Sequence, residues 1–427
     1  MRVFLPLRSQ AWGPFGRDRP IATELAAEHG PIARETAHAK VAQLDGLTSL
    51  RFFAALLVLV FHYSSQHFVG VPKTGIASIG DTGVTFFFML SGFILAYNYR
   101  DTDFGAGGAI NRYLVSRLAR IYPAYIFALL LALPFDTKSF EALSSASLKA
   151  LSYASLALAP LGLHAWLPGA ACALDCPSWS ISTEFFFYLV FPLALPPILR
   201  RPGLWFCIAA AYWMGASAIG MIAWSRYGAG LSIAGDLKTH PMAEIASQFI
   251  KFFPPMRLPE FLFGIVLFAA WNRTRSQLSG AKLGLAAFVA WGALALVKSD
   301  IPETELRGGL TAIAWAPLIL LGANIRSGLL VAPAMVFLGR ISYSLYLTHV
   351  TVLNATKSFD KRVLGGPLAS TSPWCVSIAS ALAALVLAAF VYRIVEDPAR
   401  RFVMSGRWTR LPGSQWSGGR GVGGSRS

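Results

Sequence analysis

The feature that most constrains this chain recurs along its length. Runs of roughly 16 to 22 residues hold few or no charges, the length that crosses a bilayer core. Candidate spans fall at 47–67, 80–99, 119–135, 181–199, 203–224, 258–272, 281–297, 309–325, 335–355 and 373–394. The chain is 55% hydrophobic and 14% charged, with a mean hydropathy of +0.53. Ordinary soluble domains carry about 25% charged residues. The sequence therefore predicts an all-α fold, a polytopic membrane helix bundle of about ten transmembrane helices.

One further segment, 143–163, is mildly apolar but holds Lys149, several serines and a proline. Basic residues gather on the cytoplasmic side of membrane proteins. Ten spans with both termini inside put the larger share of Lys and Arg there. An eleventh span would move Arg200, Arg201, Arg273, Arg275 and the basic C-terminus outside. Segment 143–163 is therefore expected to be a re-entrant or interfacial helix on the outer side. The domain reading is a cytoplasmic, largely disordered tail at 1–43, a membrane domain at 44–402 and a disordered basic Gly/Ser/Arg-rich tail at 403–427. The N-terminus lacks the apolar core of a signal peptide, so the first span is expected to direct insertion.

The net charge of +16 fits this inside bias. No Lys/Arg run interleaves with aromatics, and no nucleic-acid partner is expected. Of the four cysteines, Cys207 and Cys375 lie in apolar segments. Cys172 and Cys176, in ACALDCPSW, are either a small disulfide loop on an oxidising side or two free thiols. No metal site is expected.

Polar residues inside the spans carry the functional signal, because burying them in a membrane is expensive. In RFFAALLVLVFH, Arg51 and His62 bracket ten apolar residues. Eleven helical steps return them to one face, within roughly 20°, and separate them by about 16 Å along the axis. Taken alone, Arg51 reads equally as an inner anchor and His62 as an interhelical hydrogen-bonder. In WSISTEFFFYLVFP, Ser180 and Glu184 share a face. Glu184 is either a carboxylate that orients a histidine or an acid complementing a helix dipole. Arg112, Arg117 and Arg120 collect at the inner end of the third span, suited to phosphate or to anionic lipid. Gly80, Gly83, Ser91 and Gly92 allow close helix packing, or backbone approach to a ligand. Ser342, Tyr346 and His349 form a polar stripe in an apolar helix. Arg257 and Glu260 read as an internal ion pair, and Glu396 as part of a structural salt bridge.

In order, the chain reads LTSLRFFAALLVLVFHY, GDTGVTFFFMLSGF, RLARIYP, WSISTEFFFYLVFP, RLPEFLFG, LGRISYSLYLTH and a closing Glu396-Asp397-Pro398. This series, from Leu44 to about Phe402, resembles the acyltransferase-3 family of bacterial integral-membrane O-acyltransferases. The resemblance implies transfer of an acyl group, usually acetyl, from cytoplasmic acyl-CoA to a hydroxyl of a cell-envelope carbohydrate or related acceptor. It implies His62 as the catalytic histidine and general base, Arg51 as its partner, and Arg117 and Arg120, with Arg112, at the CoA phosphates. Glu184 joins the catalytic set, and Ser91, Ser180, Tyr346 and His349 are substrate-pocket candidates. It places the protein in the inner membrane, with membrane lipid, acyl-CoA and a glycan as partners. Some relatives carry an added esterase-like domain at the C-terminus; the short tail here leads to the expectation that this activity is absent or supplied elsewhere. A transporter or flippase using buried His and Glu as proton or substrate sites is the alternative.

Overall fold

The computed structural model describes residues 43–65, 75–233, 237–298, 300–366 and 373–405. All described helices lie in Leu44–Ser427, the larger of the two units into which the chain divides. The tails expected to be disordered fall outside the described residues except for Gln43 and for Val403–Ser405, where Val403 and Met404 end the last helix.

Each predicted span is matched by a helix, and no strand occurs among the described residues. In chain order these are α1 (Asp45–Ser65), α2 (Gly83–Tyr99), α3 (Ala109–Glu141), α4 (Ala146–Leu158), α5 (Trp179–Arg200), α6 (Pro202–Tyr227), α7 (Pro241–Phe252) and α8 (Pro254–Thr274). They continue as α9 (Gly280–Val297), α10 (Ala312–Asn324), α11 (Pro333–Phe359), α12 (Pro373–Val391) and α13 (Asp397–Met404). Among the described residues, nine helical segments are long and apolar enough to cross a membrane. The exception among the ten predicted spans is α11, whose run of Ser, Tyr, Thr and His lowers its hydropathy. Its side chains nevertheless fill the centre of the bundle: Ser342, Ser344, Thr348 and His349 are almost wholly buried.

Packing fixes the helix directions. Thr48 meets Gly339 and His62 meets His349, so α1 and α11 run parallel. Thr85 meets Arg257 and Phe93 meets Phe268, so α2 and α8 run parallel as well. Gly46, at the start of α1, lies against Gly322, near the end of α10. These directions are those of a chain that crosses and recrosses one layer. Large exposed apolar side chains, Met214 and Ile222 on α6, Phe288 and Leu296 on α9, and Val386 on α12, form an outer surface that lipid would cover.

The glycines of the second motif serve packing. A Cβ on Gly92 would collide with the Phe261 carbonyl, and one on Gly264 with that of Met89, so α2 and α8 touch backbone to backbone. Gly339 stands in the same way against the Thr48 carbonyl.

Segment 143–163 forms α4, which at 13 residues is too short to cross. The chain then folds back through 159–178 over the bundle. Ser182 Oγ donates to Gly162 O (2.6 Å), and Gln248 Oε1 accepts from the amides of Gly169 and Ala171. Cys172 and Cys176 are disulfide-bonded there, which resolves the alternative left open by their spacing. Inside this cap, burial pushes His164 down to about 3, and burial with Asp136 nearby holds the Asp175 carboxyl well above its usual range.

Gly339→Ala should cost about 1 to 3 kcal/mol, because the added methyl meets backbone rather than a mobile side chain. Gly284→Ala on α9, where a methyl meets nothing within 4 Å, should not destabilise. Thermal unfolding of the two variants in nanodiscs checks the contrast.

Candidate active site

A cavity of about 100 Å³ lies between α1, α2, α3, α5 and α11. Arg51, Arg117 and Arg120 line it together with Ser91, Ser180, Glu184, Tyr188, Tyr343 and Tyr346, and its walls include Phe87, Phe88, Ile94 and Ile121. Seven of the ten site residues expected from sequence therefore meet in one space, drawn from five separated segments.

Helical spacing explains each contribution. Arg117 and Arg120 are three apart on α3 and share a face. Arg117 is aligned by Tyr99, whose hydroxyl accepts from it (3.1 Å) and whose ring lies 5.3 Å from the guanidinium carbon. Ser180, Glu184 and Tyr188 repeat every four residues down α5. The Glu184 carboxylate accepts from Tyr188 Oη (2.8 Å) and from Ser91 Oγ of α2 (3.1 Å). Arg51 stands within electrostatic reach of Arg120, Glu396 and Glu184. Glu396 accepts from Ser344 Oγ (2.8 Å) instead of forming the expected close salt bridge.

The remaining candidates fall elsewhere. Arg112 is exposed at the start of α3, donating to Gly107 O (3.5 Å), and does not line the cavity. His62 and His349 form a pair beyond it. His349 Nε2 lies 3.1 Å from His62 Nδ1, and the ring centroids are 4.9 Å apart. Tyr63 Oη ties the same helices by donating to His349 O (2.9 Å). The sequence reading placed Glu184 beside His62; the structure gives that position to His349, while Glu184 is engaged with Tyr188 and Ser91.

The contacts assign the tautomers. His349 Nδ1 faces Tyr346 O (2.7 Å) and His62 Nδ1 faces Val58 O (3.0 Å). A carbonyl only accepts, so each Nδ1 carries the proton. His349 Nε2 then accepts from His62 Nδ1–H, which it shares with Val58 O, so that in the neutral ring the lone pair of His62 is on Nε2.

The polar stripe of α11 divides. Tyr346 faces the cavity, His349 faces His62, and Ser342 spends its hydroxyl on Gly339 O (2.8 Å). Sequence reasoning missed Tyr188 and Tyr343. Tyr188 had a signal, four residues after Glu184 on the same face; Tyr343 is similarly placed three before Tyr346.

A second charged group lies apart. Arg257 pairs with Glu260 (2.8 Å), as expected, and Arg307 pairs with Asp81. Here each cation has its own carboxylate, whereas the cavity gathers three guanidiniums around Glu184 with Glu396 nearby.

Histidine-selective 15N NMR should give His62 a protonated Nδ1 and an unprotonated Nε2, and His349→Phe should weaken that preference. A protonated Nε2 on neutral His62 would contradict the assignment.

Residues 44–393 match the model of the acyltransferase domain family. Acyltransferase MdmB of Streptomyces mycarofaciens is 31% identical over 395 residues, covering 85% of this chain and 93% of that protein. O-acetyltransferase OatA of Staphylococcus aureus is 23% identical over 397 residues, covering 84% of this chain. The chain spans 57% of the length of OatA. No solved structure matches.

Proposed function

The chain belongs to the acyltransferase-3 family and is a multi-pass membrane acyltransferase, and we propose that it transfers an acetyl group from cytoplasmic acetyl-CoA to a hydroxyl of a cell-envelope glycan or related acceptor. The observation that carries this reading is the cavity itself. Its guanidiniums outnumber its carboxylates, which favours an anionic guest, and its lining includes Tyr346, one helical turn from the histidine that holds His62.

In this reading Arg117 and Arg120 pair with the CoA phosphates, and Arg112, exposed before them, meets the donor first. Arg51 holds the donor from α1. About 16 Å separates Arg51 from His62 along the helix, a span suited to the extended pantetheine arm. Ser91, Ser180 and Tyr188 line its path, and Glu184 fixes Ser91 and Tyr188.

His62 Nε2 removes the proton from the acceptor hydroxyl. The hydroxyl oxygen attacks the thioester carbonyl, the ester C–O bond forms and the C–S bond breaks. The proton on His62 passes to the departing thiolate, which leaves as CoA. His349 stabilises the imidazolium only weakly, being neutral itself, but it fixes the ring so that Nε2 faces the reaction. A cytoplasmic donor suits a place in the inner membrane, and the positive-inside bias supports both termini in the cytoplasm. In the same reading the membrane domain at 44–402 holds every proposed functional group, flanked by tails at 1–43 and 403–427.

The test is transfer of radiolabelled acetyl from acetyl-CoA to an envelope glycan fraction by protein in membranes. His62→Ala should lower the rate by about 10² to 10⁴, the range for loss of general base catalysis, while CoA binding persists. Arg117→Ala and Arg120→Ala should instead raise the KM for acetyl-CoA. Equal transfer by wild type and His62→Ala would remove the histidine from the chemistry.

A further inference from the structure

The cavity and the histidine pair are neighbours, yet neither His62 nor His349 lines the cavity. The residue interposed is Tyr346. It lines the cavity on one side, and on the other its ring centroid lies 6.0 Å from that of His349, whose ring is in turn against His62. Phe87, also a cavity residue, packs on the Tyr346 ring at 5.8 Å.

Tyr346 is held in this position. Its hydroxyl donates to Pro177 O (3.0 Å), which also accepts from Ser180 Oγ (3.0 Å), another lining residue. Pro177 directly follows Cys176, so the accepting carbonyl belongs to the stretch fixed by the Cys172–Cys176 disulfide. Two bonds and a covalent closure thus keep one aromatic ring across the line from cavity to histidines. A buried tyrosine needs a partner for its hydroxyl, but any nearby carbonyl would satisfy that need. This one fixes the ring at the end of the cavity.

We infer that Tyr346, backed by Phe87, is the specificity-determining residue for the acyl group: the ring sets the width through which the acyl end of the donor reaches His62, and so selects short acyl chains. The inference rests on the cavity being the donor's path and adds to that reading the size class of the group transferred. Tyr346 acts by shape and takes no part in bond making.

The experiment compares acetyl-CoA with butyryl-CoA as donors, using full-length protein in nanodiscs, for wild type, Tyr346→Phe, Tyr346→Ala and Phe87→Ala. Wild type and Tyr346→Phe should both favour acetyl, since the ring is kept. In Tyr346→Ala and Phe87→Ala the butyryl-to-acetyl ratio of kcat/KM should rise by about tenfold or more, the scale on which apolar pockets discriminate added methylenes. An unchanged ratio in both alanine variants overturns the inference. So does loss of transfer from both donors in both alanine variants when the folded protein still binds CoA, because the rings would then belong to the chemistry. If Tyr346→Ala alone is inactive or misfolded, the ratio in Phe87→Ala decides. Failure of wild type to use either donor would instead strike the donor assignment, and the inference would fall with it.

Discussion

A bilayer offers no water to a polar side chain, so every such group on a spanning helix must find its partner inside the protein. Helix α1 imposes this demand twice on one face, at Arg51 and at His62. Much of the surrounding bundle answers it. Helix α11 supplies His349 to His62 and lies close enough to do so because Gly339 lets it rest on the backbone of Thr48. Helices α3 and α5, with Glu396 just before α13, bring charge of both signs around Arg51. The two ends of one helical face thus become two different environments, a cavity rich in guanidinium and a pair of imidazoles in contact.

The contrast with the other charged cluster gives this arrangement its meaning. Arg257 with Glu260 and Arg307 with Asp81 are matched one to one, as expected where charges are buried for structure. Around Arg51, Arg117 and Arg120 the match is incomplete. A surplus of guanidinium in a largely apolar cavity is costly in the resting protein and is relieved when an anion enters. The histidine pair follows the opposite logic, since hydrogen bonds to carbonyls settle its tautomer before any substrate arrives.

Much of this was legible in the sequence because membrane burial writes itself into composition. The spans followed from apolar runs, and α11 remained recognisable although its Ser, Tyr and His residues blur its hydropathy. Arg51, Arg117, Arg120, Glu184, Ser91, Ser180 and Tyr346 stood out as polar residues in apolar surroundings, and they share a cavity. What did not follow was the pairing between distant helices. Nothing local in SISTEFFFY says that Glu184 takes Tyr188 and Ser91, leaving His62 to a residue 287 positions away. Ser342 belongs to the polar stripe of α11, yet its hydroxyl is spent on its own helix, at Gly339 O. Tyr188 and Tyr343 were passed over because tyrosine is ordinary in a spanning helix, and only the packing of the helices shows that these two face the cavity.

If one face of α1 joins a donor's phosphates to the reacting histidine, a structure with a non-hydrolysable acetyl-CoA analogue bound will show it. The phosphates should lie on Arg117 and Arg120, the pantetheine arm along Ser91 and Tyr188, and the acyl carbonyl past Tyr346 beside His62 Nε2. An analogue bound outside the cavity, or with its acyl end directed away from His62, would contradict it.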